Sequence, residues 1–354
     1  GRRAGAGEGI ALAVTEDPGD FAKLLPPKPR MLVLDLGFLG DSIHLMPALD
    51  CIHQSVPNAC VDVMVAEHVT QIMEVLPWLN RVIGYPRFPK GPKWFNHGEW
   101  IKLLRTAKYD AVLNVNGSDR SSILTWLTGS PLRLGRIPRR KKWWWRRSVT
   151  HCIEHPYRNA SVFEQTVEVL KLAGFTKGDG GFHVVIPESA KKAVNDQLGG
   201  LKSYVHVSPF TTENYKELPP PLLAQWLNQL NTKHSLPIVL SVAPNEREKQ
   251  KLQSLLEKLD FTPAAVFPGT LSLLELSAII DQAQWHIGGD SGALHVALMC
   301  DTRTLAWYRQ YDGLIEWAPP GKSHARVIGQ ASSDGLTGIS LQDLENSLQT
   351  LKSH

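Results

Sequence analysis

Residues 31–54 read MLVLDLGFLGDSIHLMPALDCIHQ. Met31–Leu36 is an apolar run of strand length, interrupted only by Asp35. Gly37 and Gly40 then allow a tight turn. From Ser42 to Gln54 the apolar residues Ile43, Met46, Leu49 and Ile52 recur at a spacing of three, which predicts a helix. A buried strand running through a glycine turn into a helix is the opening unit of a parallel α/β sheet.

The same alternation continues outward. Strands are predicted at 60–65, 81–84, 111–115 and 132–135, with helices at 100–107 and 162–172. It restarts at YVHVSP (204–209) and runs through strands at 237–242, 265–267, 285–287, 304–307 and 326–328. Helices over 221–230, 246–259, 273–281, 292–299 and 341–351 separate or follow them. Two such series, divided by a polar stretch at 187–202, predict two Rossmann-like domains with parallel sheets facing across a cleft. The expected division is a flexible N-terminal extension (1–29), a first domain (30–186), a second domain (187–340) and a C-terminal helix (341–354). That helix is a candidate to pack back on the first domain.

Composition excludes other classes. Of 354 residues, 43% are hydrophobic and 20% charged, which is ordinary for a globular chain and not for a fibrous or disordered one. No apolar run approaches the ~20 residues of a membrane-spanning helix. None of the four cysteines stands in a C-x-x-C pair, which argues against a zinc ribbon and suits a reducing cytoplasm.

The net charge of +4 has a local origin. Arg136–Arg147, RIPRRKKWWWRR, holds seven of the 38 basic residues, no acid and three of the eleven Trp. The other 31 basic residues face 34 acidic ones. One local anionic contact is therefore expected, not a nucleic-acid-coating surface. Arg136, Arg139, Arg140, Lys141, Lys142, Arg146 and Arg147 suit phosphates, and Trp143, Trp144 and Trp145 suit a membrane interface. Read without a partner, the same stretch is a solvated loop with Trp packed on the domain.

Four segments at strand ends carry chemical potential. In LGFLGD (36–41), Asp41 stands in the first turn of a helix, facing the cleft as a general base or merely capping the helix. In IGGDSGALH (287–295), two glycines, Asp290, Ser291 and Gly292 open a helix whose free N–H groups and dipole suit a diphosphate, with His295 one turn in. SPFTTENYKELP (208–219) offers Thr211, Thr212 and the mobile cation Lys216, as would an ordinary polar loop. SVAPNERE (241–248) places Glu246 at a helix start, available to ribose hydroxyls or favoured there by the helix dipole alone. There is no Walker A sequence, no G-x-S-x-G, no H-E-x-x-H and no Asp-x-Asp.

Together these segments resemble the ADP-heptose:lipopolysaccharide heptosyltransferases, glycosyltransferase family 9, of GT-B fold. GDSIHLMPAL (40–49) is similar to the family's G-D-x-x-x-x-x-P-A-L. GGDSGALHVA (288–297) resembles D-T-G-x-x-H-x-A-A, with Ser291 in place of Thr. Thr211–Pro219 resembles T-x-x-K-x-W-P, with Leu218 in place of Trp, and Glu316–Gly321 is like a tail of the form E-x-W-x-P-x-G.

The resemblance implies roles for individual residues. Asp41 deprotonates the acceptor hydroxyl in an inverting transfer. Lys216, Ser291 and Gly292 hold the diphosphate of ADP-heptose, with Thr211 and Thr212 nearby. Glu246 binds ribose, Thr270 and Leu271 meet adenine through their backbone, Asp290 holds sugar hydroxyls and His295 supports the loop. It implies no metal and no cofactor beyond the donor. The acceptor is a phosphorylated lipopolysaccharide core ending in Kdo or heptose, met at an anionic membrane on the cytoplasmic face of the bacterial inner membrane, with no nucleic-acid partner. Two alternatives remain open at this level. One is a GT-B transferase or epimerase using another nucleotide-sugar. The other is a non-catalytic membrane- or nucleic-acid-binding protein on the same scaffold.

Overall fold

The computed structural model describes residues 18–86, 97–115, 117–138, 143–155 and 159–352. Its first half is a six-stranded parallel sheet. The strands are β1 (Arg30–Asp35), β2 (Cys60–Ala66), β3 (Arg81–Tyr85), β4 (Ala111–Asn114), β5 (Leu132–Arg136) and β6 (His151–Ile153). They lie in the order β3-β2-β1-β4-β5-β6. The helices α1 (Leu39–Ser55), α2 (His97–Thr106), α3 (Asp119–Leu127), α4 (Trp145–Ser148) and α5 (Val162–Leu172) connect or follow them.

The second half repeats the plan. Its strands are β7 (Val205–Ser208), β8 (Ile238–Val242), β9 (Ala265–Pro268), β10 (Trp285–Gly289), β11 (Thr304–Arg309), β12 (His324–Ser332) and β13 (Gly335–Thr337). The order is β13-β12-β11-β10-β7-β8-β9, parallel except for the closing β12–β13 hairpin. The helices are α6 (Glu188–Gln197), α7 (Pro220–His234), α8 (Glu246–Leu256), α9 (Leu273–Gln282), α10 (Gly292–Met299), α11 (Leu314–Trp317) and α12 (Leu341–Lys352). In both sheets the connection reverses direction beside the first strand, at β1/β4 and at β7/β10. The carboxyl ends at such a switch point are where α/β sheets bind ligands.

The two halves are not separated by solvent. One apolar cluster runs from Val33, Ile43 and Met46 of the first half to Ala278, Ala293 and Val296 of the second. Helices α1 and α10 pack against each other at their N-termini. A Cβ on Gly40 would come within 2.9 Å of the His295 ring, and one on Gly292 within 2.9 Å of Leu39. At Gly40 a side chain would displace the buried His295 ring, whereas at Gly292 it would only push aside the tip of Leu39. A hydrogen bond from Leu273 N to Gln71 Oε1 (3.0 Å) adds a polar tie between the halves.

Three expectations change. Residues 1–17 lie outside the described residues, but the extension is anchored to the first domain through its 18–24 segment. Pro18–Leu24 forms a 3-10 helix, Phe21 is fully buried against His151 and Phe175, and Ala22 N donates to Ala173 O (3.0 Å). The polar stretch 187–202 contains α6, whose Ala190 and Val194 enter the shared core. The C-terminal helix packs on the second domain, not the first: Leu344, Leu348 and Leu351 of α12 join Leu305, Trp307 and Val327 in that domain's own core.

Candidate active site

The carboxyl ends of β1, β7 and β10 bring three of the four sequence segments together. Asp41 is the third residue of α1, and its Oδ2 accepts a hydrogen bond from Phe38 N (2.7 Å). The carboxylate therefore fixes its own helix start from the third position, while the N-cap itself is Phe38. It also stands in the turn that meets α10, because its neighbours Leu39 and Gly40 make the contacts with Gly292 and His295.

On the other side, Ser291 is the N-cap of α10, with extended backbone (φ −140°, ψ 174°). Its side chain does not cap the helix. Ser291 Oγ is buried and makes no hydrogen bond among the described residues. Trp307, opposite Gly289 in the β10–β11 register, likewise has a buried Nε1 with no hydrogen-bond partner among the described residues. Buried polar groups normally find partners, so two orphans beside one helix N-terminus mark a place built for a polar guest.

Lys216, in the short 3-10 turn Asn214–Lys216, extends its ammonium to Asp290 Oδ2 at 3.3 Å. This ion pair joins the 208–219 loop to the start of α10. The loop is held by a residue that the sequence does not single out. Glu217 is buried and accepts hydrogen bonds from Thr211 N (2.8 Å), Arg247 (2.9 Å) and Lys251 Nζ (2.5 Å). Arg247 also donates to Thr211 O (2.6 Å) and to Asn214 Oδ1. Thr211 is accordingly buried and committed to the loop's own structure, whereas Thr212 is exposed. Leu218 is buried in the second-domain core, so the residue that departs from the family's Trp is a packing residue.

The remaining sequence-predicted residues are less enclosed. Glu246 is exposed and pairs with Lys249 (2.9 Å). Its neighbour Glu248 is buried and closes the turn by accepting from Ala243 N (2.8 Å) and Asn245 Nδ2 (3.1 Å). Thr270 is exposed and Leu271 half-buried between β9 and α9.

His295 does more than lie beneath the loop. Its Nδ1 is 3.2 Å from Nε2 of His44, one helical turn past Asp41. The Trp317 ring lies 5.2 Å from His44 and 5.9 Å from His295. Burial, reinforced by His295, holds the His44 imidazole well below its ordinary pKa. Burial also lowers that of His295, with Asp290 opposing and Lys216 adding to the effect. The pair is thus neutral, with one ring donating to the other. His44 and Trp317 both stand inside quoted motifs, but nothing in their own spacing shows that they meet.

The basic–aromatic segment is only partly a surface. Arg136 is buried, donating to Gln165 Oε1 (3.0 Å) and His155 O (3.3 Å), so it is removed from any exposed anion contact. Trp145 is buried, Trp144 half-buried, and Arg146 half-buried with a bond to Val149 O (3.4 Å). Arg139, Arg140, Lys141 and Lys142 lie outside the described residues. Trp143 (80% exposed) and Arg147 remain outward, the guanidinium 5.5 Å from the ring. The adjoining α3 adds exposed Ile123 and Trp126, which the sequence reading missed.

Comparison with known proteins agrees with this architecture. Residues 98–334 match Glycosyltransferase family 9 (heptosyltransferase). A curated relative, lipopolysaccharide heptosyltransferase 3 of Escherichia coli, is 24% identical over 80% of this chain and 84% of its own. A family 9 glycosyl transferase from Veillonella parvula superposes with a TM-score of 0.79 at 18% identity, covering 91% of this chain and 97% of that one. The E. coli heptosyltransferase WaaC with ADP gives 0.72 at 20% identity, covering 90% and 99%. With the GT-B architecture, the motif order and the match over two-thirds of its length, the chain belongs to glycosyltransferase family 9, the heptosyltransferases.

Proposed function

We propose that this enzyme moves heptose from ADP-heptose to the inner core of lipopolysaccharide, with inversion and without a catalytic metal. The observation that carries the donor side is the buried, unpartnered Ser291 Oγ at the N-terminus of α10, beside the Lys216–Asp290 pair. A diphosphate there would accept from Ser291 and the helix N–H groups, and Lys216 would supply positive charge to the leaving group. Glu246 would take the ribose, Thr270 and Leu271 the adenine, and Asp290 the sugar hydroxyls.

In the reaction, Asp41 takes the proton of the acceptor hydroxyl as its oxygen bonds to the anomeric carbon. The bond from that carbon to the β-phosphate oxygen breaks on the opposite face, and ADP departs with the electron pair. His44 and His295 hold α1 against α10, which keeps Asp41 in register with the donor loop.

The acceptor is a phosphorylated glycolipid, which places the reaction at a membrane, on its cytoplasmic face in this reading. No helix among the described residues is long and apolar enough to cross one. Ile123, Trp126 and Trp143 with Arg147 give the first domain an outward apolar and basic face suited to an anionic bilayer. Calorimetric titration with ADP, UDP and GDP, followed by transfer from ADP-heptose to Kdo- and heptose-terminated cores, tests the assignment. ADP is expected to bind tightest and one core to be extended. Preference for UDP, or no transfer to any core, would sink it.

A further inference from the structure

Away from the cleft, Asp50 lies roughly 13 Å further along α1 than Asp41. Its side chain is 4% exposed, and Oδ2 has no hydrogen-bond partner among the described residues. A buried carboxylate without donors is costly. The segment after α5 brings Asp179 and His183 to the same place, so that one donor atom from each of the three residues lies within 4.8 Å of the others. His183 Nε2 is 2.7 Å from Asp179 Oδ1 but 3.9 Å from Asp50 Oδ2, beyond hydrogen-bond reach. One imidazole nitrogen therefore hydrogen-bonds the exposed carboxylate and meets the buried one only at ion-pair range.

We infer that Asp50, Asp179 and His183 form a binding site for a divalent transition-metal ion, of which zinc is the natural probe. Metal–ligand bonds of about 2.0–2.2 Å in a tetrahedral site set ligand atoms about 3.4 Å apart. The observed 2.7 and 3.9 Å straddle that spacing on two sides of the triangle, and the third side is within 4.8 Å. Two carboxylates and an imidazole are a first-row ion's donor set, not one selective for magnesium.

The site has a floor and an entrance. Asp50 is the floor, while the His183 and Asp179 side chains are 54% and 69% exposed and open to solvent. Gly178, at φ +91°, lets the loop lie close over that floor. A Cβ there would sit 3.6 Å from Asp50 Oδ2 and 3.3 Å from Cys51 Sγ. The ion would pin the 178–183 segment to α1, a structural role apart from the donor chemistry and independent of the proposed substrate.

The test is zinc titration of the chelator-stripped full chain against a chromophoric competitor, with Asp50→Asn and His183→Ala alongside. Wild type is expected to bind one equivalent that both variants hold about tenfold or more weakly. Zinc should raise the thermal midpoint of wild type and of neither variant, and magnesium should not substitute. Equal zinc stoichiometry and affinity in all three proteins, or no binding by wild type, would overturn the site. A protonated His183 between two carboxylates would then account for the cluster. Circular dichroism of the near-isosteric Asp50→Asn variant confirms that loss of binding is not loss of fold.

Discussion

His44 Nε2 and His295 Nδ1 are 3.2 Å apart although 251 residues separate them in sequence. They join the helix that carries Asp41 to the helix that opens at Ser291. An N–H···N bond exists only while the pair holds a single shared proton between the facing nitrogens, and burial depresses both pKa values. The sign follows from linkage. Below the unfolded value near 6.5 the unfolded chain binds protons that the folded pair refuses, so stability falls with pH. A histidine that stays wholly neutral in the folded chain costs about 1.3 kcal/mol at pH ~5.5 relative to neutral pH. Buried His206, and His286 with its pKa pushed down to about 3, add to the same slope. Urea unfolding of wild type and His44→Gln at pH ~7.5 and ~5.5 isolates the His44 share. The variant should lose about 1 kcal/mol less on acidification; an equal loss would mean that His44 does not titrate with folding.

Glu217 converts two cations and a backbone N–H into the shape of the 208–219 loop. Glu217→Gln keeps the size and removes the charge. Arg247 and Lys251 are 34% and 30% exposed, so they are partly rehydrated, and the expected loss is about 1–3 kcal/mol of stability. Because Thr211 N and the turn bearing Lys216 loosen together, ADP affinity should also fall. Chemical denaturation with calorimetry on the same sample checks both. Unchanged ADP affinity in a destabilised variant would make Glu217 a folding residue only.

The outward face of α3 and α4 predicts vesicle binding. Trp143→Ala with Arg147→Glu should weaken association with anionic vesicles by about fivefold or more. ADP binding should stay unchanged. Co-sedimentation with anionic and zwitterionic vesicles reads this out. Equal association of wild type and the double variant would remove this face from membrane docking.

The sequence announces whatever a single element decides. The apolar run Met31–Leu36 and the Gly-rich turn before Asp41 define β1 and α1, and the turn at 288–292 defines β10 and α10, because strand burial and helix capping are local. Helix α6 buries only Ala190 and Val194 of its ten residues, so no stripe reveals it. Strand β13 is three residues long and exists by pairing with β12. Arg136 stands in a basic run and reads as exposed, yet Gln165 and His155 bury it from other elements. Glu217 and His44 fall in the same class. Their roles depend on partners brought in by the chain's path, which the motifs they stand in do not reveal. The strand-end loops that meet at the cleft are therefore legible in the sequence, whereas the ties that hold them in register are not.

The central claim is that Asp41 is the base. Asp41→Asn keeps the shape of the first turn of α1 and an oxygen for Phe38 N–H, but removes the proton acceptor. Single-turnover transfer from ADP-heptose, measured with donor affinity on the same protein, separates base from cap. Transfer is predicted to fall by about 10²–10⁴ while donor affinity stays within about twofold. Near-normal transfer by Asp41→Asn would contradict the account.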